Sequence, residues 1–297
     1  LPAEKQDLFT NLKIKTMNEL TTQQQTSANP NKALWEKGDF TRIAETMRES
    51  GADLVGKLGI TKGLDVLDLG CGDGTTALPA AQLGANVLGV DIARNLVEAG
   101  NIRAKEAGLT NCTFQEGDAT DLKGLADRSF DLVISIFGAM FAPKPFDVAS
   151  EMVRVTRLGG KIVMGNWIPG DPTLVAQILK ISSAYTPPPP EGFVSPMLWG
   201  VESHVTERFG KAGVAPENIS FVKGTYTFNA PYSPSEFVNR FKHYYGPTMN
   251  AFDAAEKSGK TLELQRELEE LFNSQNKSTE PNTTSIPATY LIVTVSR

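Results

Sequence analysis

Cysteine and histidine are scarce in this chain of 297 residues: there are two cysteines, Cys71 and Cys112, and two histidines, His204 and His243. Two thiols build neither a disulfide framework nor a Cys-rich zinc site. Neither histidine has a partner at metal-ligand spacing, so no metal is expected. No apolar run approaches the roughly 18 residues of a membrane-spanning helix. A basic excess is missing as well: 29 Lys and Arg stand against 34 Asp and Glu, for a net charge of -5. The footprint of a nucleic-acid binder is therefore absent, and no polybasic run offers a patch for a membrane. What remains is 40% hydrophobic and 21% charged, the balance of a globular chain long enough to bury a core without cross-links. Four Asn-x-Ser/Thr triplets, at Asn111, Asn218, Asn276 and Asn282, are read as chance. The expected location is cytoplasmic and the expected partner a small molecule, with neither nucleic acid nor membrane.

Residues 1–33 are polar and rich in Gln, Thr and Asn, which suggests a mobile arm with one helix around 4–20. Residues 39–58 carry Phe40, Ile43, Met47, Leu54, Val55 and Leu58 in an imperfect helical pattern, with Gly51 as the expected break. From residue 64 the rhythm changes. Apolar strands at 64–69, 86–91, 112–116, 130–135 and 161–166 alternate with helices ending near 83 and spanning about 95–107 and 146–157. That alternation predicts a parallel sheet covered by helices on both faces. After residue 166 the regularity stops. Pro169, Pro172 and the run Pro187–Pro190 favour extended segments. Helices are expected at 201–213, 234–245 and 260–273, the last with a stripe of Leu264, Leu268, Leu271 and Phe272. Strands are expected at 219–228 and 290–295, with a polar loop over 274–287. The predicted fold is α/β: a doubly wound, Rossmann-like sheet of seven strands, mostly parallel with an antiparallel last strand. A helical cap completes it. The expected organisation is a core over 34–167, a cap insertion over 168–218, and completion of the sheet over 219–297 around a helical insertion at about 234–273.

The informative stretch is V-L-D-L-G-C-G-D-G, Val66 to Gly74. A strand runs into a tight glycine turn that lets the backbone approach a ligand, and amides at the start of the following helix attract negative charge. The spacing G-x-G-x-G differs from the G-x-G-x-x-G of dinucleotide folds. The second strand ends at Asp91 and the third is followed by Gly-Asp-Ala with Asp118. Ligands of open α/β sheets bind at these carboxyl ends. A carboxylate at Asp91 can accept from ribose hydroxyls, and one at Asp118 from an exocyclic amine such as adenine N6.

Over residues 35–167 these motifs resemble the class I S-adenosylmethionine (SAM)-dependent methyltransferases. The resemblance implies that Asp68 and the Gly70–Cys71–Gly72 backbone hold the methionine end of SAM. It also implies that Asp91 binds the ribose, that Ile92 lies against adenine, and that Asp118 and Ala119 read the base. Phe130 to Phe137 resembles the fourth strand, whose end, Ser135 and Ile136, flanks the transferred methyl. Arg157 to Ile162 resembles the usual entry into strand five, with Leu158 where proline is common. Trp35 to Phe40 is similar to a segment that closes over the ligand, adding Trp35 and Phe40 to the cofactor residues.

The acceptor is less legible. The Asn/Asp-Pro-Pro-aromatic loop of enzymes that methylate base amines is absent after strand four, as is the cysteine cluster that arsenic methylation needs. Phe137, Met140, Phe141 and Trp167 suggest an apolar pocket instead. Tyr185, Phe193, Met197, Trp199, Tyr232, Phe241, Tyr244 and Tyr245 are candidates from the cap. The expected substrate pocket is Phe137, Phe141, Trp167, Trp199 and Tyr244, with Gly170, Gly192 and Gly200 as joints of the cap. At 100° per residue His243 falls opposite the apolar face of its helix, and His204 lies at the flank of its own. Asp39 and the tyrosines are comparable base candidates, and no catalytic residue stands out. The reaction expected is methyl transfer to an O, N or C nucleophile of a small, partly apolar molecule. Competing readings are a SAM-binding subunit without turnover, a macromolecular acceptor (protein or RNA), and a nicotinamide oxidoreductase, against which the glycine spacing argues.

Overall fold

The computed structural model describes residues 30–297, and the helix expected around 4–20 lies outside them. A single sheet of seven strands runs through it in the order β3-β2-β1-β4-β5-β7-β6. The strands are β1 (Asp65–Leu69), β2 (Asn86–Asp91), β3 (Cys112–Glu116), β4 (Phe130–Ile136), β5 (Thr156–Trp167), β6 (Ile219–Ala230) and β7 (Thr284–Ser296). The first five are parallel. β7 inserts antiparallel between β5 and β6. The central strands read as apolar runs because both of their faces are covered: Val66, Leu67, Val133 and Ile134 are fully buried.

Helices α1 (Pro30–Glu36), α2 (Thr41–Ala44) and α3 (Arg48–Val55) precede the sheet. Gly51 does not break α3; the irregularity is a 3-10 turn at Glu45–Met47. A side chain at Gly51 would strike Thr75 and the Tyr226 hydroxyl, so this glycine is there for packing. Helix α1 also takes in residues 30–33 of the expected arm, and Lys32 pairs with Glu116 at the end of β3.

On one face α3, α4 (Ala77–Gln82) and α5 (Arg94–Glu106) share an apolar cluster with the sheet through Val55, Ala77, Val97 and Ala104. Gly89 of β2 and Gly100 of α5 leave room for the Phe114 ring, which a Cβ at either position would meet at 2.5–2.7 Å. Asn101 bonds both the amide and the carbonyl of Phe114 (3.0 and 2.9 Å) and so covers the open edge at β3. On the other face α6 (Pro145–Val155) and α8 (Glu202–Lys211) pack together through residues such as Val148, Met152, Val205 and Phe209.

The stretch 168–218, expected as one insertion, divides in two. Helix α7 (Leu174–Tyr185) joins α9 (Pro234–Tyr244), α10 (Gly246–Lys257) and α11 (Thr261–Gln275) in a helical cap. The remainder, the 3-10 turn Pro196–Gly200 and α8, returns to the layer over α6 and β5. Sequence periodicity missed α7 and α10. In α11 the buried residues are Leu264, Leu268 and Phe272, with Leu271 half-buried at the flank. β7 begins at Thr284, taking up the end of the expected loop. Among the described residues no helix is long and apolar enough to cross a membrane.

Candidate active site

β1 and β4 are neighbours, while the connection from β1 turns the other way to β2. The ends of these strands therefore open a crevice at the switch in strand order. Gly70 (φ +69°) and Gly72 (φ +55°) take the left-handed conformation that the turn after β1 requires. The Gly70 and Cys71 amides donate to the Val90 carbonyl, tying the turn to β2. From the other side the turn after β4 closes in: a Cβ on Gly70 would lie 2.6 Å from the Gly138 Cα, and one on Gly138 would lie 2.3 Å from the Gly70 carbonyl oxygen. The two backbones touch, and only glycines permit it.

Buried carboxylates hold this arrangement. Asp91 accepts from the Gly72 amide (2.8 Å) and the Ala93 amide (2.9 Å), coupling the glycine turn to the start of α5. Burial raises its pKa against the pull of those amides. Asp73, 1% exposed, meets Arg48 of α3 at 2.8 Å and Arg103 of α5 at 3.3 Å. Burial raises its pKa also, opposed first by Arg103 and then by Arg48. Asp68 accepts from the Thr76 hydroxyl. Its Oδ1 is buried without a hydrogen-bond partner among the described residues. Burial pushes its carboxyl up to about 7, against the stabilising bond from Thr76 and with Asp91 adding to the rise.

The crevice is a cleft of about 950 Å³, counted to its open mouth. It brings together Trp35, Phe40, Gly70, Cys71, Gly72, Asp91, Ile92, Asp118, Ala119 and Ile136, all expected from the sequence. Asp68 and Ser135 are not in its wall: they stand behind it, Asp68 on Thr76 and Ser135 accepting from the Ala139 amide at 2.9 Å. The Asp118 carboxylate accepts from the amide and hydroxyl of Thr120, both at 2.8 Å, which shapes the turn after β3. Other wall residues were not singled out by the sequence, Asn31, Asp73 and Tyr226 among them. Asn31 of α1 donates to the Phe141 carbonyl, Asp73 anchors the turn, and Tyr226 reaches in from β6. The G-x-G-D-G spacing offered a signal for Asp73. The other two come from distant segments that only the fold brings in.

At the inner end, Phe137 takes a left-handed φ of +59° directly after β4, a conformation that costs a non-glycine residue energy and clusters at functional sites. Its ring stacks on Trp167 at 3.7 Å and 6° and meets Tyr226 edge-on at 5.0 Å. Burial raises the pKa of the Tyr226 phenol, with Tyr290 and Asp68 nearby adding to the shift.

Two residues of the expected substrate pocket are elsewhere. Trp199 is 1% exposed in the layer over α6 and β5, edge to face with Phe209 at 6.0 Å and under the Arg208 guanidinium. Tyr244 is half-buried outside the cleft, and its neighbour Tyr245 turns inward to Trp35 and Phe40. Of the other candidates, Tyr185 donates to Glu267, Phe193 is exposed, and Tyr232 lies under Arg240. Gly200 is no joint, because its backbone packs on the Trp167 carbonyl. His243 is exposed on the Asn239 carbonyl, His204 lines no cavity described here, and Asp39 engages Thr41 and Arg42. Among the described residues no group of three or more His, Cys, Asp or Glu could hold a metal ion.

A methyltransferase-domain family model matches residues 67–164, the segment that builds the cleft. An uncharacterized protein of Mycobacterium tuberculosis is 34% identical over 258 residues, 86% of this chain and 92% of its own. The chain belongs to the class I SAM-dependent methyltransferases. Demethylmenaquinone methyltransferase of Anoxybacillus flavithermus is 36% identical over 114 residues, 37% of this chain and 48% of that protein. Among solved structures, the YcgJ protein of Bacillus subtilis aligns with a TM-score of 0.55 at 20% identity, covering 84% of this methyltransferase and 99% of that chain.

The burial of Trp199 yields a prediction. Trp199→Ala should lower unfolding stability by about 3–5 kcal/mol in urea titrations while leaving the affinity of the folded fraction for S-adenosylhomocysteine unchanged. A variant of wild-type stability would show that this indole is not part of the core.

Proposed function

We propose that this methyltransferase transfers the methyl of SAM to an oxygen, nitrogen or carbon nucleophile of a small, partly apolar molecule, without a metal. The observation that carries the reading is a cleft polar at its glycine-turn end and aromatic at its inner end. The residues present fit the cofactor. The left-handed turn at Gly70–Gly72 leaves open space where a side chain at Gly72 would stand, so the methionine end can lie against its backbone. The buried Asp68 Oδ1 lacks a partner and is the acceptor for a cationic α-ammonium. Asp91 keeps lone pairs beyond the two amide bonds it accepts, and these are the acceptors for ribose hydroxyls. Ile92, Ala119 and Asp118 would border the adenine, and Trp35, Phe40 and Ile136 complete the enclosure.

Bound SAM supplies a methyl on a sulfonium, whose carbon–sulfur bond breaks onto sulfur as the acceptor's lone pair takes the carbon. The protein's contribution is to place the acceptor in line and to exclude water from the inner end. Phe137, Trp167 and Phe141 wall that end. The partial matches to demethylmenaquinone methyltransferase and to sterol 4-C-methyltransferase strm-1 of Caenorhabditis elegans, proteins named for apolar ring acceptors, support this reading.

Labelled SAM incubated with the protein and fractionated metabolites should label a small apolar product identifiable by mass. Label confined to protein or RNA would overturn the reading. Asp68 gives a second test. Its native carboxyl holds a proton up to about pH 7, so a cationic amine arriving beside it should expel that proton. Calorimetry with S-adenosylhomocysteine should then show proton release at pH 6 and an affinity that rises about tenfold or more between pH 5 and 7. Asp68→Asn should abolish both effects; a wild-type affinity independent of pH would contradict the assignment.

A further inference from the structure

Behind the cleft lies a second cavity of about 350 Å³, also counted to its open mouth, that shares Trp35, Phe40, Met47, Phe137 and Phe141 with it, so the two are adjoining chambers. Its far walls come from four elements: Trp167 ends β5, Val175 opens α7, Phe228 lies on β6, and Phe241 and Tyr245 come from the end of α9. We infer that this inner chamber is the acceptor site and that it receives an uncharged, flat molecule of two or three fused rings. The inference rests on the reading of the outer cleft as the SAM site and names the acceptor class for it.

The chemistry of the walls carries the argument. No Asp, Glu, Lys, Arg or His lines the chamber. Tyr245 is its one ionisable side chain, and burial pushes that phenol far above its ordinary range, so it stays neutral. A charged acceptor entering here would shed its water and find no opposite charge, at a cost of several kcal/mol. The carboxylates of the region stand at the other end, around the glycine turn: Asp91 lines the outer cleft, Asp68 lies behind its wall, and neither lines the chamber.

Shape points the same way. The Phe137 and Trp167 rings are parallel within 6°, and Trp167 and Phe228 within 27°, so three walls share nearly one orientation. A planar ring system can lie along them. The rings on the N-terminal side differ. Trp35 meets Phe40, Phe141 and Tyr245 edge to face, at 85°, 70° and 64°, so these rings satisfy one another. Counted to their open mouths, the chamber is about a third of the outer cleft, which suits a small skeleton rather than a peptide or nucleotide chain. Every fixed wall therefore selects for an apolar plane, and the one polar requirement, the nucleophilic atom, falls at the junction by Phe137 and Phe141.

The test uses three probes of one skeleton: 2-naphthol, 2-naphthalenesulfonate and (2-naphthylmethyl)trimethylammonium. Each is titrated calorimetrically into the full chain saturated with S-adenosylhomocysteine. The expected result is that naphthol binds and that the anion and the cation each bind at least about tenfold more weakly. Val175→Trp, which fills the chamber, should reduce naphthol affinity at least about tenfold and leave S-adenosylhomocysteine affinity unchanged. Phe241→Trp does the same from the opposite wall should the first variant fold poorly. The inference is overturned if either charged probe binds as tightly as naphthol, if naphthol does not bind, or if folded filled variants bind it normally. Should S-adenosylhomocysteine fail to bind the wild type, the cofactor reading falls by itself, and titration of naphthol into the free chain still reports on the chamber.

Discussion

The contact between the backbones of Gly70 and Gly138 is the constraint on which the site depends. β1 and β4 are adjacent and parallel, so the turns that leave them compete for the same space. Because neither turn carries a side chain there, they close to contact distance. That closeness sets the floor of the cleft. It also puts Phe137, the residue before Gly138, in a left-handed conformation with its ring stacked on Trp167. One steric fact thus links the polar end of the site to its aromatic end.

Electrostatics hold what the glycines allow. Three aspartates are buried around the turn, and each is used differently. Asp91 is spent on backbone amides of two elements, Asp73 on arginines from two helices, and Asp68 on Thr76 and the Ala77 amide with its Oδ1 to spare. Burial raises the pKa of all three, which is costly unless partners or a ligand offset it. Arg48 gives the N-terminal helices a direct hold on the glycine turn. The segment bearing Trp35 and Phe40 is thereby joined to the site through charge as well as through its rings.

The parallel core was legible because its strands are covered on both faces and therefore read as short apolar runs between glycine turns. The cap was not, for local reasons. Helix α7, L-V-A-Q-I-L-K-I-S-S-A-Y, meets both β7 and other helices, so its apolar residues show no clean single face. Helix α10 begins Gly-Pro directly after Tyr245, where the sequence looks like a stop. Tyr244 and Tyr245 show the limit at single-residue scale. Tyr245 closes α9 with its ring turned to Phe241 at 5.2 Å, and Tyr244 is rotated away by one step. Trp199 was expected in the pocket as an aromatic residue of the insertion, yet that segment folds back onto β5. Ten of the twelve expected cofactor residues line one cleft. What sequence could not separate was the wall from the layer behind it, where Asp68 and Ser135 stand.

The central claim, that contact between two bare turns creates the cofactor cleft, is tested most directly at Gly138. A methyl group there has to displace the Gly70 carbonyl it would otherwise meet at 2.3 Å. Calorimetric titration of S-adenosylhomocysteine into folded Gly138→Ala, with circular dichroism as the check on folding, is the decisive measurement. The account predicts an affinity at least about tenfold below that of the wild type. A folded variant that binds with unchanged affinity would contradict it.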